Sequence, residues 1–532
     1  MSYQSFEFLL FSAVAVFVYY IAGKKFPSGR KYILLAVNII FYLFCGIKYV
    51  PFLLVTLVSS YFAAKKIGKI YAQSELKLQA AENSSQKKEI RNAAKAQAKK
   101  SMLFGVLVSL AILAVCKYTV FIFRNVNILM QALSREPVAV FQMILPIGIS
   151  FYTFMAVGYV LDVYWKRIEA EEKFLQYAIF LTYFPHIVQG PIGRYGRFKG
   201  ELEHSLKTVV SLNDLSYGAQ LVLWGLFKKL VIADRLSLFV STFFDAPQKY
   251  SGLIMALAAV MYSIQIYADF SGCIDIVSGV SEMFGIKLPK NFDHPYFSKN
   301  IPEFWRRWHI SLGEWFKDFV YFPVSMSAAV KKMKKFFKKR GLKKGELLVA
   351  SCVPTIVVWV ITGLWHGASW NFVAWGAFYA ALMVSGNVFG EFNQKLTKKL
   401  AINTEAFSWK LFQMLRTFAL CTVGRVFFRC EGLRQSLIYF KNMFSSFSLK
   451  YILDDKLFKY GLDRNNFAVV IAAILILLLV DILQEKTSVR ELLSKQNVVF
   501  RYSVIMFGIF SVLVFGIYGP QFDASQFIYE QF

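Results

Sequence analysis

The stretch Phe6–Ala22, FEFLLFSAVAVFVYYIA, holds a single charged residue. Comparable apolar runs recur near 32–47, 50–64, 102–123, 139–163, 215–240, 252–270, 347–362, 369–390, 409–428, 466–483 and 502–519. A helix needs roughly 20 predominantly apolar residues to cross a bilayer. The runs therefore predict an all-α, polytopic integral membrane protein. The first run has no basic residues ahead of it and no small-residue cleavage site behind it, so it reads as a retained helix rather than a signal peptide. Overall, 56% of the residues are hydrophobic and 17% aromatic, against about 45–50% apolar for a soluble domain. No internal repeat is visible, and residues 1–532 read as one membrane domain.

The net charge of +28 follows topology. Lys and Arg collect in cytoplasmic loops. Lys65–Lys100 is a long polar stretch, and 65–101 reads as a charged cytoplasmic helical insertion. KKMKKFFKKRGLKK (Lys331–Lys344) is the second basic run, and four spans lie between the two. KKFPSGRK (Lys24–Lys31) then also lies inside, which puts the N-terminus outside. If Gln484–Arg501 is cytoplasmic, the last span delivers the C-terminal tail to the extracytoplasmic side. Nucleic-acid binding would require a soluble basic face, and none is evident. The six cysteines are scattered in or beside apolar segments without CxxC or Cys/His spacing, so reduced thiols and no metal are expected.

Phe180–Phe198, FLTYFPHIVQGPIGRYGRF, is apolar but interrupted by Pro185, Gly190, Pro191 and Gly193. It predicts a broken, re-entrant or interfacial segment, since irregular backbone at membrane depth survives only when buried in protein or lining a cavity.

Polar groups in membrane segments need a partner or a purpose. Residues 265–390 concentrate them. Asp269, Ser271 and Asp275 end one apolar span. From Asn300 the pattern predicts a helix, with Asn300 as N-cap and Glu303 at the capping-box position. One stripe of that helix is Phe304, Trp308, Leu312, Trp315 and Phe319. An adjoining one, Trp305, His309, Leu312 and Phe316, puts His309 on an apolar side. His366 lies in mid-hydrophobic context in WVITGLWHGASWNFVAWGAFYA, among Gly363, Gly367 and Ala368, which permit close helix approach or leave room for substrate. Histidine suits proton transfer near neutral pH. His186, His204 and His294 read as structural. No Walker, Gly-x-Ser-x-Gly or dinucleotide fingerprint is present. These residues fit general-base transfer of an acyl group to a hydroxyl within the membrane.

LPIGISFYTF (Leu145–Phe154), YFPHIVQGPIGRYGRF, YADFSG, NFDHPYFSKNIPEFWRRWHISL and GLWHGASWNFVAWG together resemble the membrane-bound O-acyltransferase (MBOAT) superfamily. They are most similar to its bacterial branch that O-acetylates alginate and other exopolysaccharides. The resemblance runs from about residue 30 to the end. It implies a ring of tilted transmembrane helices around a central tunnel in the bacterial cytoplasmic membrane. It makes His366 the match to the invariant histidine and His309 the match to the second active-site position. It implies acetyl-CoA as donor, with no bound cofactor, a polysaccharide acceptor outside, and an SGNH-type extracytoplasmic partner. Trp305, Trp308, Trp365 and Asn371 are then expected to line or support the tunnel.

The tail 520–532 ends in FIYEQF. Its Phe527, Tyr529 and Phe532 match the Phe-x-Tyr-Phe-x-Phe motif of the small protein of the D-alanylation system, with Glu530 in place of the second aromatic. The resemblance implies that Tyr529 carries the acyl group. The ten residues from Gly519 span roughly 33 Å extended, against about 15 Å for half a bilayer core. Interfacial anchoring is the alternative for the tail. For the whole protein the alternatives are D-alanyl transfer to teichoic acid, and a non-catalytic transporter or scaffold.

Overall fold

The apolar runs are helices. A computed structural model describes residues 2–26, 29–208, 211–446 and 455–518. The described chain is helical throughout, without a strand, and has one isolated antiparallel bridge, Phe292 to Trp308. Nine of the described helices are long and apolar enough to cross a membrane. Phe17, Phe62, Leu479 and Phe507 are each more than half exposed on them, an arrangement suited to acyl chains and not to water. This is a multi-pass membrane protein.

Three expected spans differ. The one near 32–47 is a helix of 16 residues, Arg30–Cys45, stopped by Gly46 at φ 141°. Near 139–163 only Ile149–Tyr164 is helical. Pro137, Pro146 and Gly148 interrupt what precedes it, and a Cβ on Gly148, at φ 75°, would collide with the Ile187 carbonyl. Near 215–240 the helix is interrupted by a π turn, Phe227–Ala233.

The chain packs as two units, Met1–Ala219 with Val277–Pro289, and Gln220–Ile276 with Lys290–Phe532. The first contains α1 (Phe6–Lys25), α2 (Arg30–Cys45), α3 (Val50–Gln79), α4 (Ser84–Ala132), α5 (Ile149–Tyr164), α6 (Phe174–Thr182), α7 (Phe184–Ile187) and α8 (Tyr195–Lys207). The charged stretch 65–101 is the continuation of α3 and the start of α4. The two meet at a turn where Asn83 Oδ1 caps α4 by accepting from Gln86 N at 2.8 Å. They approach closely because a Cβ on Gly105 would already stand 2.7 Å from Ala63 Cβ. The segment after α6 is broken as the prolines predict. Its backbone is buried, and Asn38 Oδ1 accepts from Phe184 N at 3.1 Å where the helix restarts.

The second unit begins within α9 (Leu212–Leu226) and passes through the π turn into α10 (Asp234–Phe244) and then into α11 (Leu253–Met283). A Cβ on Gly225 would stand 2.5 Å from the Gly272 carbonyl oxygen, so α9 and α11 nearly touch. The π turn presents two successive lysines to α11. Lys229 Nζ lies 2.7 Å from Asp269 and 2.9 Å from Asp234. Lys228 Nζ lies 2.8 Å from Asp275 and 2.9 Å from Ser271 Oγ. The polar residues at the end of the 252–270 run are thus partnered.

Then follow α12 (Ile301–Arg307), α13 (Ile310–Phe316), α14 (Phe322–Ser325), α15 (Ala328–Lys339), α16 (Lys343–His366), α17 (Trp370–Lys399) and α18 (Phe407–Arg429). Here α16 and α17 cross at glycine. A Cβ on Gly363 would be 2.5 Å from the Phe372 oxygen, and one on Gly376 would be 2.5 Å from the Trp359 oxygen. The small residues around His366 therefore serve helix contact. All six cysteines are free.

Candidate active site

Asn300 caps α12 as its sequence position predicts, accepting from Glu303 N at 2.8 Å, while Glu303 Oε2 accepts from Lys299 N at 3.0 Å. The expected continuous helix ends after seven residues. Trp308 is extended and His309 is left-handed, with φ 49° and ψ 52°, before α13 begins. Such a conformation costs an L-residue about 1–2 kcal/mol, so the surroundings must impose it. The segment Asn291–Asp293 does so. Asp293 N donates to Arg307 O at 2.9 Å and Ile310 N donates to Asn291 O at 3.0 Å, on either side of the Phe292–Trp308 bridge.

The break swings the His309 imidazole inward, where the residue is 2% exposed. Its ring stands 4.9 Å from Phe270 on α11 and 6.2 Å from Trp365. His366 is the last residue of α16, also buried, with its ring 4.8 Å from Trp365, 4.9 Å from Trp375 and 5.2 Å from Phe428. Trp365 therefore touches both imidazoles. His309 lies outside the nine apolar helices, and burial pushes its conjugate acid down to about 3, so the ring is neutral.

Trp305 reaches the same cluster through Trp375 at 5.6 Å and packs on Trp359 at 4.7 Å. Trp308 belongs to a neighbouring aromatic group, edge-on to Phe292 at 4.9 Å and beneath the Arg425 guanidinium at 4.1 Å. Asn371 clamps the start of α17 to the end of α18, its Nδ2 donating to Phe427 O at 3.0 Å and Cys430 O at 2.9 Å. Of the other histidines, His186 is buried in the first unit with Nε2 at 2.8 Å from Phe180 O. His294 Nε2 meets Gln484 Oε1 at 3.1 Å, and His204 is exposed. Tyr529 and the rest of 519–532 lie outside the described residues.

Asn291, Trp375, Phe428 and Arg425 also build this region, and reading the sequence did not single them out. A cation inside the apolar run 409–428 was a signal for Arg425. Asn291 offered none, because its importance lies in what the chain brings back to it.

Residues 170–430 match the membrane-bound O-acyltransferase family, and His309 and His366 both fall inside that range. The chain belongs to this family and is an O-acyltransferase. It is 29% identical over 436 residues to a probable alginate O-acetylase, AlgI, of Pseudomonas syringae pv. tomato, covering 82% of this chain and 73% of that one. It is 28% identical over 446 residues to a peptidoglycan O-acetyltransferase of Helicobacter pylori, covering 79% and 75%. A teichoic acid D-alanyltransferase of Bacillus subtilis is 31% identical over 252 residues, covering 47% and 60%.

Proposed function

We propose that this protein transfers acetyl groups from cytoplasmic acetyl-CoA to an extracytoplasmic polysaccharide. The observation that carries the reading is the pair of buried imidazoles on Trp365, in a chain whose long matches are named O-acetylases. His366, assisted by His309, takes the proton of an attacking hydroxyl. The hydroxyl oxygen bonds to the thioester carbonyl carbon, the carbon–sulfur bond breaks, and the departing thiolate takes the proton from the imidazolium. Tyr529 is the first acceptor. A phenol, with pKa near 10, is far easier for histidine to deprotonate than a sugar hydroxyl, and a phenyl ester passes its acyl group on readily. An SGNH-type protein outside the membrane then completes transfer to the glycan.

The test incubates purified protein with labelled acetyl-CoA and maps the C-terminal peptide by mass spectrometry. Label on Tyr529 that disappears in His366→Ala supports donor, base and carrier together. Thioester cleavage without label rejects the carrier role of Tyr529. Absence of both cleavage and label points to a missing partner or to a donor other than acetyl-CoA. The similarity to a teichoic acid D-alanyltransferase favours one other donor, a carrier-bound D-alanyl thioester, as the next substrate to try.

A further inference from the structure

Asn291 is buried, and its side-chain oxygen sits at the centre of the α12–α13 break. Oδ1 accepts from Ser311 N at 3.1 Å and from Ser311 Oγ at 2.8 Å, and it faces His309 Nδ1 at 3.3 Å. The backbone N–H of Ser311 can only donate. The amide atom opposite it is therefore oxygen, not nitrogen. That oxygen has no proton to give, so His309 Nδ1 must be the donor in the bond between them. A neutral imidazole carries one N–H. With the proton on Nδ1, the lone pair is on Nε2.

We propose that Asn291 is a positioning residue that holds His309 in the Nδ1–H tautomer and so makes Nε2 its proton-accepting atom. The inference rests on the reading that His309 takes part in acyl transfer. The same residue fixes the backbone that aims the ring, since Asn291 O accepts from Ile310 N. One side chain and its own carbonyl thus set both the direction of the imidazole and the position of its proton. Carboxylate and amide partners of histidine elsewhere do this for metal ligands and catalytic bases.

A detail of the bonding supplies the control. Asn291 Nδ2 is buried and makes no hydrogen bond among the described residues. Everything the side chain does is done by its oxygen. Asn291→Asp keeps that oxygen and every bond it accepts, whereas Asn291→Leu keeps the approximate volume and removes the acceptor.

The experiment measures kcat and KM for acetyl-CoA in the full-length purified protein carrying Asn291→Leu, Asn291→Asp, His309→Ala, His366→Ala, or Asn291→Leu with His309→Ala. Asn291→Leu is expected to lower kcat by about ten-fold or more with KM unchanged, and Asn291→Asp to stay near the unsubstituted rate. Because Asn291 acts through His309, the double variant should be no slower than His309→Ala alone. Losses that multiply in the double variant overturn the proposal, as does an unimpaired Asn291→Leu. Should Asn291→Leu elute aggregated, a folded but slow Asn291→Asp overturns it equally. A His309→Ala enzyme as fast as the original, with His366→Ala inactive, would instead remove His309 from the mechanism. That result separates failure of the underlying reading from failure of this one.

Discussion

Arg425 is a buried guanidinium, 5% exposed, with no carboxylate paired to it among the described residues. Its charge lies against rings, 4.1 Å from the centroid of Trp308, 5.5 Å from Tyr296 and 5.8 Å from Phe304. A desolvated cation–π contact is worth about 2 kcal/mol, and a flat guanidinium stacks where an ammonium cannot. Arg425→Lys should therefore lower stability by about 1–2 kcal/mol, read as a lower melting temperature in detergent. In a Trp308→Leu background the same change should cost much less. Equal losses in both backgrounds would mean that the ring contact contributes little. At this scale the sequence was partly legible. His309 and His366 stood out as polar groups in apolar context, and both are buried. Asn291 did not, because an asparagine in a loop next to a proline-containing stretch looks like a turn residue until the chain brings Ser311 back to it.

The glycine crossing of α16 and α17 makes a sharper claim about elements. Gly→Ala within a helix ordinarily stabilises by up to about 1 kcal/mol. At Gly363 the sign should reverse, because the added methyl meets the Phe372 carbonyl at 2.5 Å and α16 must move away from α17. Gly363→Ala is expected to lose both thermal stability and acyl transfer, whereas Gly386→Ala on the partner helix α17, where nothing lies within 4 Å, should be neutral or slightly stabilising. Two melting curves decide it. Helix existence was readable because spanning length and apolarity are local properties. The breaks were not. Phe304, Trp308, Leu312 and Trp315 keep a helical period straight through the left-handed His309, and periodicity is blind to one residue that turns the other way. The π turn at Phe227–Ala233 was equally hidden, although two adjacent lysines inside an apolar run are a readable anomaly.

For the molecule as a whole, two imidazoles outside the apolar helices are buried and neutral. Burial lowers His186 to about 4 and His309 to about 3, against about 6.5 in an unfolded chain. Below about pH 6.5 the unfolded chain takes up protons that the native one refuses, so unfolding gains ground. Above that pH these groups contribute no slope. Melting temperature should be flat from pH 8 to about 6.5 and fall from there toward pH 4, and His186→Gln should make the decline shallower. An unchanged decline would place its origin in His309 or the carboxylates instead. The same reasoning leaves the His309 imidazole uncharged near neutral pH.

The glycine contact has a mechanical consequence. At 24 residues, α16 is about 36 Å long; its first turn is charged and the rest is close to a hydrocarbon core of about 30 Å, so a change in bilayer thickness is met by tilt. Gly363 is three residues from His366, about 4.5 Å along the axis. The other end is held by α15, where a Cβ on Gly345 would collide with the Phe337 ring and Lys334 Nζ lies 3.9 Å from Glu346 Oε1. Tilt then carries α15 and the Lys343 terminus together, while His366 stays beside the glycine crossing. Acyl transfer by protein reconstituted in lipids of increasing chain length should then change little, even as the accessibility of the basic terminus to a soluble reagent shifts with every added pair of methylenes.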